Sequence, residues 1–455
     1  MNNRNNKMEL LGNAPIPKAL MAMGIPTMLG MMVNAIYNLV DAYFVGSLGT
    51  SQMGAISVVY PLGQLGLLFG NGSASYLSRL LGKGDKEKAN QVASTALYSS
   101  ITVGAIMIIL SIIFLRPILK FLGATDSIMP YAITYASIYI ISCIFNVFNV
   151  TMNNIVTSEG AAKTTMCALM TGAILNIGLD PVFIYILNMG VAGAAIATAI
   201  SQIVSTLVYL TFILRKKSTY HFRIRNFSFT KDIMSEIFKI GIPTLVFQIL
   251  TSLSISFVNT KSMVYGDSVI AGMGAVTRIV SMGSLMVFGF IKGFQPIAGY
   301  SYGAKKFYRL QEAIKTSILW STIFCVIYGL ILAIFSKGII SQFTKMDLDM
   351  IRVGTQSLRI NGFSFMLFGF YTVYSSLLLA LGKGLAGFFL GACRQGICFI
   401  PVILILPVFW GINGIMYAQP IADVLSAVIT IFMAVHLHKE LALSKQKFLS
   451  GHQNT

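Results

Sequence analysis

Charge is scarce in this sequence. Asp, Glu, Lys and Arg together make up 11% of its 455 residues, against about 25% in a soluble globular chain. Acids are the scarcer sign, 15 against 33 basic residues. A chain that is 55% hydrophobic, with mean hydropathy +0.76, cannot keep so apolar a surface in water. That excludes a soluble domain and makes this a membrane protein. Cysteine is also sparse. Cys143, Cys167, Cys325, Cys393 and Cys398 all fall in apolar stretches without metal-ligand spacing, so they read as free, buried thiols and not as a disulfide frame or a zinc site. The glycine pairs Gly70-x-Gly72 and Gly82-Lys83-Gly84 lack the strand and lysine context of a phosphate loop, so no nucleotide is expected. No nucleophile–base pair or metal cluster lies at depth, which argues against an enzyme, and the basic excess is placed as a topology signal, not as a nucleic-acid surface. The stretch 1–17 is polar without a short apolar core, so no removable signal peptide is expected there.

Long apolar runs are what the sequence does have. A span needs about 20 apolar residues to cross a bilayer. Twelve stretches qualify, at 16–46, 53–80, 92–115, 129–158, 164–187, 190–214, 233–264, 269–302, 313–336, 350–381, 385–409 and 412–438. Pro26, Pro61, Pro181, Pro243, Pro296, Pro401 and Pro420 lie inside them and are expected bends, since each removes a backbone donor. Loops on one side, with both tails, hold most of the Lys and Arg, whereas the opposite loops hold Arg116, Lys120, Lys337 and Lys345. The bias places both termini in the cytoplasm, with lipid head groups as neighbours of the basic face.

The chain repeats itself at an offset of about 220 residues. Gly24-Ile25-Pro26-Thr27 recurs as Gly241-Ile242-Pro243-Thr244, Gly82 as Gly303, Gly160 as Gly382, Pro181 as Pro401 and Gly193 as Gly414. The expected fold is therefore all-α: twelve transmembrane helices in two six-helix bundles related by pseudo-two-fold symmetry. The lobes are residues 1–214 and 232–455, joined by a cytoplasmic linker at 215–231. An even number of helices per copy gives parallel repeats, with the substrate path between the lobes.

Ionisable groups inside a membrane are costly and usually functional. Asp41, Asp180 and Asp423 are the acids well inside apolar stretches. Counting from the outer helix ends, Asp41 lies roughly 9 Å deep, and Asp180 and Thr198 roughly 12 Å, at about 1.5 Å per residue. In the first stretch Asn34, Tyr37, Asn38 and Asp41 share one helical stripe, and in the fifth Asn176 and Asp180 are four apart. Such stripes need a cavity, because lipid cannot satisfy them. Two carboxylates with amide and hydroxyl oxygens suit sodium; the same pair, crowded, suits a shared proton; the remaining alternative is a helix-bonding polar network without an ion. Asn149 and Asn153 share a face of the fourth stretch. By the repeat, Asp41 maps near Val258 and Asp180 near Ile400, so coupling is expected in the first lobe alone. In the second lobe Arg278 is expected to face a cavity and Asp423 to contact a cationic substrate. Lys292 either snorkels or pairs with Asp423, while Lys261 and Arg394, near helix ends, are expected to snorkel.

These residues resemble the multidrug and toxic compound extrusion (MATE) family over nearly the whole chain. The resemblance rests on the paired Gly-Ile-Pro starts, Tyr37-x-x-x-Asp41, Asn176-x-x-x-Asp180-Pro181, and Phe294-Gln295-Pro296-Ile297-x-Gly299-Tyr300-x-x-Gly303-Ala304. It implies a cell-membrane antiporter without cofactor, monomeric, that exports small drug-like organic compounds, often cationic and amphipathic, against sodium or protons by alternating access. In one branch of the family the coupling site lies in the N-terminal lobe. Asp41, Asp180, Asn176 and Thr198 match its positions, with Tyr37 beside them. A second branch carries acids in helices seven and ten. Here helix seven offers Gln248, Ser252, Asn259 and Lys261, and helix ten has no acid. The rival reading is a lipid-linked oligosaccharide flippase of the same superfamily; the deep acids of the first lobe favour the exporter.

Overall fold

The computed structural model describes residues 2–59, 66–344 and 346–453. Within these, the first half holds α1 (Asn2–Gly12), α2 (Ile16–Gly46), α3 (Thr50–Val59), α4 (Gly66–Lys83), α5 (Lys86–Ile113), α6 (Leu115–Phe121), α7 (Met129–Ser158), α8 (Ala162–Pro181) and α9 (Gly190–Leu214). The second half holds α10 (Lys231–Met263), α11 (Asp267–Gly303), α12 (Phe307–Ile340), α13 (Leu348–Phe365), α14 (Phe368–Ala380), α15 (Gly384–Ala392), α16 (Phe399–Trp410) and α17 (Ile412–Gln453). Helices are what lipid requires, since only a helix or closed barrel satisfies its own backbone there. Among the described residues, ten helices and one bent pair are long and apolar enough to span a membrane. The remaining expected span, 53–80, is described in α3 and α4; residues 60–65, with Pro61, fall outside the described residues, as does Lys345. The architecture is two six-helix bundles, and their contact is made mainly by α2 and α4 of the first against α10 and α11 of the second.

Two of the expected bends lie beside irregular helix: Pro181 directly precedes the segment Val182–Ile186, and Pro401 closely follows Cys393–Ile397. Pro26, Pro243, Pro296 and Pro420 sit inside continuous helices. The 52° break between α13 and α14 contains no proline. There Gly362 and Gly369 press against α12: an added Cβ would stand 2.6 Å from the Gly329 carbonyl oxygen and 2.7 Å from Ser321. Close backbone packing turns this span. Two short π-helical segments follow α8 and α15, at Val182–Ile186 and Cys393–Ile397.

The sequence repeats have matching structural roles. Gly160 and Gly382 both end a helix with positive φ, 88° and 81°, the left-handed backbone that favours glycine. Gly82 and Gly303 mark a reciprocal crossing of the two lobes. A Cβ on either would stand 2.1 Å from the other helix, at the carbonyl oxygen of Tyr300 and of Arg79 respectively.

The face that carries both chain ends is sealed by ions. Arg79 of α4 pairs with Glu236 of α10 at 2.7 Å, joining the lobes. Lys7 of α1 meets Glu159 at 3.2 Å and the Lys217 carbonyl at 2.7 Å. The other end of α1 has unpaired carbonyls, as every helix C-terminus does. Arg309 donates to Leu11 and Ala14 there, and Lys306 to Gly12. The short first helix thus ties the linker and both lobes together.

Candidate functional site

The first bundle encloses a cavity of about 570 Å³. Its wall is built by the polar stripe of α2, the inward faces of α7, α8 and α9, a few residues of α3 and α4, and one residue of α11, Lys292. Asn34, Tyr37, Asn38, Asp41, Asn153, Asn176 and Thr198 all line it. Asn34 and Asn38 are the open part of the stripe, with Asn38 donating to the Asn34 carbonyl at 2.8 Å. Asp41 is buried at the end of the stripe, 9% exposed, and Asp180 of α8 is fully buried behind it.

The two acids come together. The Asp41 and Asp180 carboxyls approach within hydrogen-bonding range of each other, and the Oδ1 atom of each is buried with no hydrogen-bond partner. Asn176, with its carboxamide turned to satisfy both neighbours, donates to Asp180 Oδ2 at 2.9 Å and accepts from the Thr198 backbone N–H at 3.2 Å. Helices α2, α8 and α9 are thereby joined at one level. Two carboxylates at that separation need a proton or a cation between them, and the two open Oδ1 atoms are the acceptors for it.

Sequence reasoning missed the aromatic part of this wall. Tyr135 and Tyr139 of α7 stack at 5.4 Å with their planes 20° apart, and both line the cavity beside Thr198. Their spacing of four on a membrane helix carrying Asn149 and Asn153 was the available signal. Asn149 has a bracing role, with its amide bonded to Gln202 at 2.8 Å and its oxygen accepting from Thr206 at 2.9 Å.

Four second-lobe expectations are corrected. Asp423 does not await a cationic substrate. It accepts from Arg394 Nε, Ser364 and Gln419, each at 2.8 Å. Removing one partner of such a buried pair costs about 3–5 kcal/mol, so the pair is a structural element. Arg394 accordingly does not snorkel; it is 6% exposed and lies over the Phe368 ring at 4.5 Å. Lys292 neither snorkels nor reaches Asp423, because its ammonium bonds Asn153 Oδ1 across the lobe boundary. Arg278 is exposed and off the cavity. Its neighbours Thr277 and Ser281 face the second cavity, and one residue along a helix turns the side chain by about 100°. Of the thiols, Cys167 is exposed and the other four are buried.

A second cavity, about 550 Å³, lies mainly against the second bundle, is closed on its other side by α4 and α7 of the first, and shares Met31, Leu67, Asn154 and Lys292 with the first cavity.

Comparison with known proteins fits this arrangement. The sequence profile of the MatE family matches residues 26–182 and 243–405, one copy per bundle. The multidrug export protein MepA of Staphylococcus haemolyticus is 30% identical over 437 residues, 95% of this chain and 96% of that protein. MepA of Staphylococcus aureus strain MSSA476 is 30% identical over 445 residues, covering 96% and 98%. Among solved structures, the outward-facing conformation of a multidrug resistance MATE family transporter of the MOP superfamily superposes with a TM-score of 0.90 at 26% identity, covering 96% of this chain and 98% of that one. A MOP superfamily transporter from Pyrococcus furiosus, described as having a binding pocket of reverse polarity that suggests a different function, superposes with a TM-score of 0.88 at 25% identity, covering 96% and 98%.

Proposed function

The chain belongs to the MatE family of multidrug efflux transporters, and from that premise we propose that it exports small amphipathic organic compounds in exchange for sodium ions or protons by alternating access. The observation that carries the exchange is the carboxyl pair. Asp41 and Asp180 meet inside the first lobe with one unpartnered oxygen each, on two different helices of the bundle. A cation or proton taken up there ties α2 to α8, and its release frees them. Such an ion biases the two states of the transporter by its differential affinity for them. The cargo occupies the cavities, whose apolar walls include Phe247, Phe288 and Met273, and an amine on it has Asp41 as its acidic counterpart in the first lobe. The experiment is dye transport in proteoliposomes with sodium and pH gradients imposed separately. Transport should follow at least one gradient, and dye movement indifferent to both would remove the exchange reading.

The orientation is proposed from the basic bias of one face: the protein sits in the plasma membrane with both termini and the 215–231 linker in the cytoplasm. Lys216 and Gln446 are exposed on that face. Cysteines introduced there should stay unlabelled by an impermeant maleimide in intact cells and react after permeabilisation. Ready labelling in intact cells would invert the topology.

A further inference from the structure

The second-lobe cavity has a polarity that the exporter reading does not use. Aromatic and aliphatic side chains such as Phe247, Phe288 and Phe388 make up much of its wall, and the charged residues lining it are Lys292 and Arg394, both basic. Among the described residues, no Asp or Glu lines it. Lys292 has no carboxylate partner among the described residues, and its ammonium is bonded only to the neutral oxygen of Asn153. Arg394 is held from behind. Its Nε is bonded to Asp423, and its guanidinium plane rests on Phe368. No hydrogen bond is formed by its two Nη groups among the described residues, so four N–H donors remain available at the cavity wall. Asp423, with three hydrogen bonds from Arg394, Ser364 and Gln419, stays outside the lining. Gln295, Gln395 and Gln419 add neutral donors to the same wall.

A charge placed in a low-dielectric interior needs a counter-charge or a full set of hydrogen bonds. Here an ammonium and a braced guanidinium border one apolar space with no acid between them. That wall is unfavourable to a simple organic cation and complementary to an anion, and a planar guanidinium matches a carboxylate best. We propose that the second-lobe cavity binds the carboxylate of an aromatic amphiphile, with Lys292 as its ion-pair partner and Arg394 as its hydrogen-bond donor. Compounds that carry an acid beside their amine are therefore preferred over the corresponding pure cations. The amine faces the Asp41 cavity and the acid the Lys292 side. The inference rests on the exporter reading only in calling the bound molecule a transport substrate.

The test is equilibrium binding to the purified full-length protein in detergent, without any ion gradient, read by fluorescence polarisation. The probes are rhodamine 110, which has a free carboxyl group, and rhodamine 123, its methyl ester. The wild type should bind the free acid about tenfold more tightly than the ester, the size of one charge-assisted contact. Lys292→Met should bring the ratio of the two affinities to about one, and Lys292→Arg should restore it. The double variant Arg394→Gln with Asp423→Asn removes both members of the buried pair together, which avoids leaving a lone buried charge, and should also lower the ratio. The proposal is overturned if the wild type binds the ester as tightly as the acid, if it shows no saturable binding of rhodamine 110, or if the ratio survives in both Lys292→Met and the double variant. A clear preference in detergent with no gradient-driven movement of either dye would leave this site standing and remove the exporter reading.

Discussion

Asp41→Asn and Asp180→Asn should each reduce gradient-driven dye export to background while the protein still inserts and folds. The two carboxyls lie on α2 and α8, within hydrogen-bonding range, each with an oxygen that no protein group satisfies. An amide keeps the shape and can still hydrogen-bond its neighbour, so the helices stay packed. What it loses is the charge that draws a cation, or the site that carries a proton. A gradient moves a two-state protein only through an ion that binds the states unequally, and such couplings are typically about 1–3 kcal/mol, or fivefold to 150-fold. Losing one ligand of two should remove most of that, so the expected fall in ion-dependent transport is on the order of tenfold or more. Asn substitutions at the repeat-equivalent positions Val258 and Ile400 should disturb packing and leave ion dependence in place. The measurement is dye and ion flux in proteoliposomes. Full sodium or proton dependence in both Asp variants would exclude this pair. Asp423 would not be a natural replacement, since Arg394, Ser364 and Gln419 already occupy it.

Gly293→Leu should be comparably severe, for a steric reason. Gly293 of α11 crosses Gly24 of α2 so closely that an added Cβ would lie 2.5 Å from the Gly24 nitrogen and 2.6 Å from its Cα. The obstacle is backbone, which cannot swing aside as a side chain does. One turn away, a Cβ at Gly289 would meet the Met28 Cα at 2.5 Å. The lobes are shut along this line, and a leucine there must part them. Overpacking typically costs about 1–3 kcal/mol, and each 1.4 kcal/mol is about tenfold in population. The closed arrangement should therefore become roughly tenfold to a hundredfold rarer, and cycling through it should fall with it. Gly274, on the same helix with nothing within 4 Å of an added Cβ, is the control; Gly274→Leu should transport nearly as the wild type does. The check is turnover of both variants beside their accessibility to an impermeant thiol reagent at single cysteines inside the seal. Normal turnover in Gly293→Leu would mean that the lobes never need this contact.

Much of the site is legible in the amino-acid order. The stripe Asn34, Tyr37, Asn38 and Asp41 follows from helical periodicity alone, and the shared depth of Asp41, Asp180 and Thr198 follows from counting residues. Three polar groups at one level on neighbouring helices have to meet, since lipid offers them nothing. The aromatic pair Tyr135 and Tyr139 escapes such a reading because tyrosines are as common facing lipid head groups as facing a cavity. Arg278 is misplaced by it because depth along a helix says nothing about rotation around it. Asp423 is misplaced because its partner, Arg394, sits in a π-helical segment that turns the side chain inward.

The sequence by itself determined that the protein spans a membrane, that it does so as two related bundles, that its glycine landmarks recur, and that one lobe carries a pair of acids at depth that the other lacks. Those properties are local or periodic, and the scarcity of charge makes every buried ion conspicuous. Only the tertiary structure decided which ions pair, that Lys292 reaches across the lobes to Asn153, that the two charged residues bordering the second cavity are both basic, and where the chain bends. In a soluble protein the contrast between polar and apolar faces orients each helix. In lipid the outward face is as apolar as the packed one, so a helix's rotation and its neighbours are set by close packing with residues far away in the chain.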